Sequence, residues 1–143
     1  MSFDLKVVNG NLAFKNGDLD IVKGTDKLIQ DILKIAFTTA GSNSLHPYYG
    51  CLISKSVVGS NLDSEILFTV AQSQLQTAIE TLKNLQKDQA DKLQRISPDE
   101  QIASIMDISI NRNNVDPRLI DVIIKVLTRS LSKTSATFSI KNF

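Results

Sequence analysis

Two sets of side chains in this chain of 143 residues have the types and spacing for chemistry. The first is His46 and Cys51, the only histidine and the only cysteine, in the stretch TTAGSNSLHPYYGCLI, residues 38–53. A histidine beside a thiol can favour the thiolate and make it a nucleophile. Catalysis would also need a group that orients the imidazole and oxyanion donors about 3 Å from the reacting atom, and nothing in the spacing marks either. Without them, Cys51 reads as a small core residue and His46 as a loop residue preceding a rigid proline. The second set is Asp99-Glu100, a carboxylate pair of the kind that hydrolyses glycosides. Adjacent acids at a helix start more often cap it and complement its dipole, and that reading prevails by about ten to one.

The remaining chemistries have less support. One His and one Cys fall short of the four ligands of a structural zinc. Gly17, Gly24 and Gly41 match neither a dinucleotide-binding nor a phosphate-loop pattern, so no metal and no cofactor is expected. The basic residues are scattered and the aromatics do not interleave with them, which argues against nucleic acid. A net charge of +1 supplies no field to recruit nucleic acid or an anionic membrane.

The apolar fraction of 42% and charged fraction of 22% are those of an ordinary globular chain. Length predicts a single domain over residues 1–143, burying about 68–70% of its unfolded surface. A lone cysteine makes no internal disulfide. No secretory pattern opens the chain, and no apolar run approaches the ~20 residues that cross a bilayer. The expectation is a soluble protein made in the cytosol.

The elements that would position these residues begin with short strands. FDLKVV (3–8) and LAF (12–14) flank Asn9-Gly10-Asn11, and Lys15-Asn16-Gly17-Asp18 leads into Leu19–Val22, which together read as a β-meander. Gly24-Thr25-Asp26 then punctuates the chain, with Thr25 or Asp26 able to cap a helix over 26–39 that stops at Gly41. A polar linker runs from Leu52-Ile53 to Asn61. A helix of roughly 45–50 Å follows from Asp63 to about residue 95. Its distal half, KNLQKDQADKLQ, is polar enough to project from the body or lie against a partner.

Ser97-Pro98-Asp99-Glu100 is a capping-box pattern with proline at the first helical position, so the chain turns sharply there. From Ile105, apolar residues alternate with Asp107 and Ser109 as in a half-buried strand. After a turn-rich loop, LIDVIIKVLT (119–128) is β-branched on both faces and predicts a central strand covered on both sides. SATFSIKNF (135–143) closes an antiparallel sheet of three strands. The class is α+β, and no internal repeat is seen. Strands near both termini, with exposed edges, invite pairing with another chain by β-augmentation. Each main-chain bond in such a joint is worth about 0.5–1.5 kcal/mol net, so four or five make a useful one.

Read as a whole, the stretch Thr38-Thr39, Gly41-Ser42-Asn43, then His46-Pro47-Tyr48-Tyr49-Gly50-Cys51-Leu52 resembles a signature of the baseplate wedge and sheath-initiator family of contractile phage tails. Asn16-Gly17-Asp18-Leu19-Asp20-Ile21-Val22-Lys23-Gly24 resembles the N-terminal segment of phage members. The element order agrees, so the resemblance covers nearly the whole chain. One departure stands out. Members usually carry Glu-Pro-Arg just after the helix, where this sequence has Asp99-Glu100-Gln101-Ile102, keeping an acid but losing the proline and arginine. Asp116-Pro117-Arg118 has the letters but sits one strand too late.

The resemblance implies a structural, non-enzymatic protein whose fold is similar to the conserved domain of the tail sheath. Its implied partners are other baseplate wedge proteins, the tail sheath protein and the tail tube, with neither nucleic acid nor membrane. Its implied place is the virion's tail baseplate, assembled in the host cytoplasm; related subunits serve type VI secretion and other contractile injection systems. Asp99, Glu100, Gln101 and Ile102 would contact the wedge core. Leu119, Asp121, Ile123, Lys125, Phe138 and Ile140, on the last two strands, would present the edge onto which sheath adds. Gly41, His46, Pro47, Tyr49 and Gly50 would form a structural loop. The competing readings are a small cell-wall hydrolase using Asp99, Glu100 or His46, and an adaptor of a non-phage injection system.

Overall fold

Three hydrogen bonds between residues spaced by seven organise the first part of the chain. The amide of Lys6 donates to the carbonyl of Asp20, that of Ala13 to Lys6 and that of Asp20 to Ala13, each at 2.9 Å. Three two-stranded ladders radiate from this cycle, two of them hairpins. β1 (Asp4–Leu5) pairs with β6 (Ile21–Val22), β2 (Val7–Val8) with β3 (Asn11–Leu12), and β4 (Phe14–Lys15) with β5 (Asp18–Leu19), all antiparallel. The expected meander is therefore a pair of hairpins closed by a ladder between the first and last strands, and the run 3–8 is broken at Lys6 into strands with different partners.

The arrangement also corrects the expectation of no internal repeat. Residues 4–10, 11–17 and 18–24 read DLKVVNG, NLAFKNG and DLDIVKG, three copies of one heptapeptide. Asn9 and Gly10 (φ 50° and 80°), and Asn16 and Gly17 (φ 53° and 87°), have the paired positive φ of tight hairpin turns. The third copy ends instead at Gly24 (φ 59°), where the first helix begins.

The computed structural model describes residues 2–57, 63–92 and 95–141. Helix α1 spans Gly24–Phe37, so Thr25 and Asp26 lie inside its first turn rather than capping it. Leu28, Ile32, Ile35 and Ala36 make its buried stripe, and Phe37 rather than residue 39 ends it. Within the expected polar linker the chain forms a short helix α2 (Ile53–Val57), and most of the remainder of that linker lies outside the described residues. Helix α3 spans Ser64–Asp91, 28 residues or about 42 Å, shorter than expected. Leu67, Ala71, Leu75, Ala78, Ile79 and Leu82 face the core from it.

A 3-10 turn at Pro98–Glu100 reverses the chain into the sheet β7 (Ile102–Arg112), β8 (Leu119–Thr128) and β9 (Lys133–Lys141), antiparallel in that order. The α+β class and element order stand, with β7 beginning three residues before Ile105. α3 lies along β7, α1 along β9, and the two helices touch. Both therefore cover one face of the sheet. Ile120, Val122, Ile124 and Val126 of β8 are fully buried against them, each contributing about 1.5–3 kcal/mol of burial. Leu119, Asp121, Ile123 and Leu127 are only half-buried and Lys125 is exposed. β8 is central in the sheet but covered on one side, a correction to the two-sided expectation.

Candidate functional site: the sheet, its corner and the glycine loop

The stretch 38–53 is stapled where it leaves and re-enters the body. The amide of Cys51 donates to the carbonyl of Thr38 at 2.7 Å, and that of Ala40 to Cys51 at 3.2 Å, a short parallel bridge. Gly50 makes the approach possible. Its φ is +123°, and a Cβ there would stand 2.6 Å from the Thr38 carbonyl oxygen and 2.7 Å from the Ala40 nitrogen. Beyond the staple, Gly41 donates to Pro47 at 3.0 Å and Tyr49 to His46 at 3.0 Å, so the loop is closed by its own backbone. The His46 ring shares a 3.1 Å hydrogen bond with the Tyr48 hydroxyl, and the two rings meet edge to face. Cys51 is 3% exposed. Burial pushes its thiol above the usual value, with the amides of Ile53 and Leu52 pulling the other way. This is the opposite of the shift that activates a thiolate.

The corner at Asp99–Ile102 is mostly turned inward. Glu100 is 1% exposed, and its carboxylate accepts from the Ser2 hydroxyl, from the Gly24 amide at 3.2 Å and from the Ser97 amide at 3.2 Å. It thus joins the N-terminal segment, the start of α1 and the 3-10 turn. Gln86 of α3 completes the joint, donating to the Glu100 carbonyl at 2.8 Å and accepting from the Ile102 amide at 2.9 Å. The polar distal half of α3 is therefore anchored near its start by a buried glutamine, while Lys87, Asp88, Gln89, Asp91 and Lys92 beyond it are exposed. Ile102 belongs to the core, Gln101 is buried, and Asp99 faces solvent.

The β8–β9 turn sits against this corner, the Arg129 amide donating to the Gln101 carbonyl at 3.0 Å. Leu131 in that turn is exposed at φ +65°, in the left-handed region where glycine is usual. Pattern reading passes over such a residue because a single apolar side chain in a polar turn carries no period.

On the sheet, the residues named for the joining edge fall on two faces. Leu119, Asp121, Ile123 and Lys125 stand on the open face, where Asp121 accepts from Ser139 Oγ at 2.6 Å and Asn113 Nδ2 at 2.8 Å. Phe138 and Ile140 point inward, Phe138 packing on Phe37 with centroids 4.9 Å apart. Among the described residues no strand pairs with the outer edge of β7 or of β9. The edges differ. β7 shifts register between Ile102 and Ser104 and again between Ile105 and Asp107, whereas β9 runs in unbroken register from Leu127↔Lys133 to Leu119↔Lys141. Bulges blunt an edge against strand addition, and an unbroken strand leaves it open. The Arg118 of the late Asp-Pro-Arg letters pairs locally with Asp116 at 3.3 Å.

Among the described residues no group of three or more His, Cys, Asp or Glu could hold a metal, and no helix is long and apolar enough to cross a membrane.

No protein-family model matches the chain, and no curated protein matches it by sequence. In three dimensions the α+β arrangement matches a solved structure titled "putative tail lysozyme" from Geobacter sulfurreducens. The TM-score is 0.61 at 11% sequence identity, over 82% of this chain and 90% of that one. At that identity the likeness is one of fold. The chain has the fold of that protein: small N-terminal hairpins, a long helix and a three-stranded antiparallel sheet.

Proposed function

We propose that this chain is a structural, non-enzymatic subunit of a contractile phage tail baseplate. In this reading it joins the wedge proteins, lies beside the tail tube and templates the first sheath ring by strand addition in the virion, after assembly in the host cytoplasm. The unbroken outer edge of β9 is the observation that carries the strand-addition step. The fold shared with a protein described as a tail lysozyme supports the tail assignment.

That protein's name raises hydrolysis as a second reading. The geometry favours it less, because Glu100 uses both carboxylate oxygens to hold Ser2, Gly24 and Ser97 inside the fold. The wedge-facing part of the corner is then its exposed residues, Asp99 together with Arg129 and Leu131 of the adjoining turn.

Mixing the purified chain with sheath and wedge proteins, and following co-sedimentation and sheath polymerisation, tests the proposal. Seeded sheath growth that disappears when residues 135–143 are trimmed supports it. Turnover of a cell-wall substrate without seeding would overturn it in favour of the hydrolase.

A further inference from the structure

The heptapeptide repeat places one kind of residue at each position around the junction. Leu5, Leu12 and Leu19 occupy the second position, and Val7, Phe14 and Ile21 the fourth. The strand register pairs them across the ladders as Leu5↔Ile21, Leu12↔Val7 and Leu19↔Phe14. Directly opposed residues share a side of a β-ladder. The three copies sit equivalently around the cycle of Lys6, Ala13 and Asp20, so all three pairs stand on the same side. The result is a six-residue apolar disc.

The unit meets the body along one rim of this disc, where Leu5 and Val7 lie beside Gln30 of α1, and the rest of the disc stands clear of that rim. Attachment runs through polar groups and two valines, Val22 and Val7, the Val7 amide donating to Gln30 Oε1 at 2.9 Å. Gln30 Nε2 donates to the Asp4 carboxylate at 3.0 Å and to the Leu5 carbonyl at 2.8 Å, Lys34 pairs with Asp4, and Val22 is buried. The six disc residues remain 38–70% exposed, Phe14 the most. A free aromatic side chain offers on the order of 150–250 Å² and aliphatic ones somewhat less, so the disc displays roughly 500 Å². That is near the upper end for the largest apolar patch of a monomer, where such patches are often functional.

We infer that this face is covered by the same face of a second copy of the chain. Three observations point to a copy. The strands of the unit are only two residues long, too short for strand addition to gain more than one or two main-chain bonds, so recognition there is face to face through side chains. Residues 4–23 carry three Asp (4, 18, 20) and three Lys (6, 15, 23), so two units meet without net repulsion. Two discs together bury about 1,000 Å², the lower bound for a specific interface, and a flat apolar patch is self-complementary about a two-fold axis. The dimer is accordingly weak and concentration-dependent. It does not depend on the tail assignment.

Sedimentation velocity of the full chain, from about 1 to 200 µM, tests this. Reversible dimerisation is expected, with a dissociation constant that rises at least tenfold in Phe14→Asp and separately in Leu12→Asp. Both residues are exposed, so far-UV circular dichroism should be unchanged. Leu131→Asp, at the far turn, should dimerise like the parent. A chain monomeric throughout that range, or a dimer that persists in both disc variants, would overturn the inference. So would a monomer whose disc instead captures a wedge protein.

Discussion

The two β regions of this molecule use the same residue types in opposite senses. In the C-terminal sheet, alternate residues of β8 are driven fully under α1 and α3, and the other side carries Asp121, Lys125 and half-buried aliphatics. In the N-terminal unit the apolar pairs stay largely exposed, and the contact with α1 is made by Asp4, the Leu5 and Val7 backbone and buried Val22 against Gln30 and Lys34. Hydrophobic burial holds the first region, whereas the second is held by a hydrogen-bonded cycle, two tight turns and an ion pair. The first should therefore govern global stability, while the second should be separable from it.

The largest effect should come from the sheet. Ile124→Pro places a ring in the central strand, loses a fully buried side chain and disturbs the β8 ladder, a cost of about 3 kcal/mol or more. Denaturant melts should show loss of the cooperative transition. A folded, cooperative variant would mean that the sheet is not the stabilising region.

Next comes the joint between the two regions. Glu100→Ala leaves the amides of Gly24 and Ser97 and the hydroxyl of Ser2 without their acceptor, at a cost of about 2–4 kcal/mol. Hydrogen exchange should show the N-terminal unit and the start of α1 opening before the sheet. Equal loosening everywhere would erase the distinction.

The smallest effect is electrostatic. Burial works against the charged form of Asp4, but Lys34 and Gln30 prevail and hold its carboxyl below the usual value. Burial likewise opposes the Lys34 ammonium, but Asp4 and Asp31 hold it above the usual lysine range. The pair therefore stabilises the fold between the ordinary values, 3.8 for the acid and 10.5 for the lysine. Its contribution is lost as pH falls through the lowered folded value of Asp4, and again as pH rises through the raised value of Lys34. Both groups are partly exposed, so the effect is a few tenths to about 1 kcal/mol. Acid titration of the amide resonances should show β1 and β6 loosening while β8 holds, and Asp4→Asn should remove that step.

Much of this was legible because strong local signals agree with the tertiary structure. The unbroken spacing of Leu67 to Leu82 declares α3, Asn-Gly declares two hairpin turns, and Pro98 declares the corner. What escaped depends on partners distant in sequence. Ile123 is β-branched whether or not anything covers it, so composition overstated the cover on β8. Gln86 lies in a polar run and gives no hint that both ends of its amide close a buried joint. Glu100 reads as a local cap, but its carboxylate also reaches Gly24 and Ser2, 76 and 98 residues away. The heptapeptide repeat is short and its members pair in nested order, so its leading strand, 3–8, passed for a single one.

The proposed sheath addition would use the unbroken edge of β9 rather than the bulged edge of β7. Hydrogen exchange of the chain alone and with its sheath protein measures this directly. New protection is expected at alternate amides between Lys133 and Lys141, those facing away from β8, with β7 unchanged. Protection confined to β7, or none on the sheet despite binding, would contradict it.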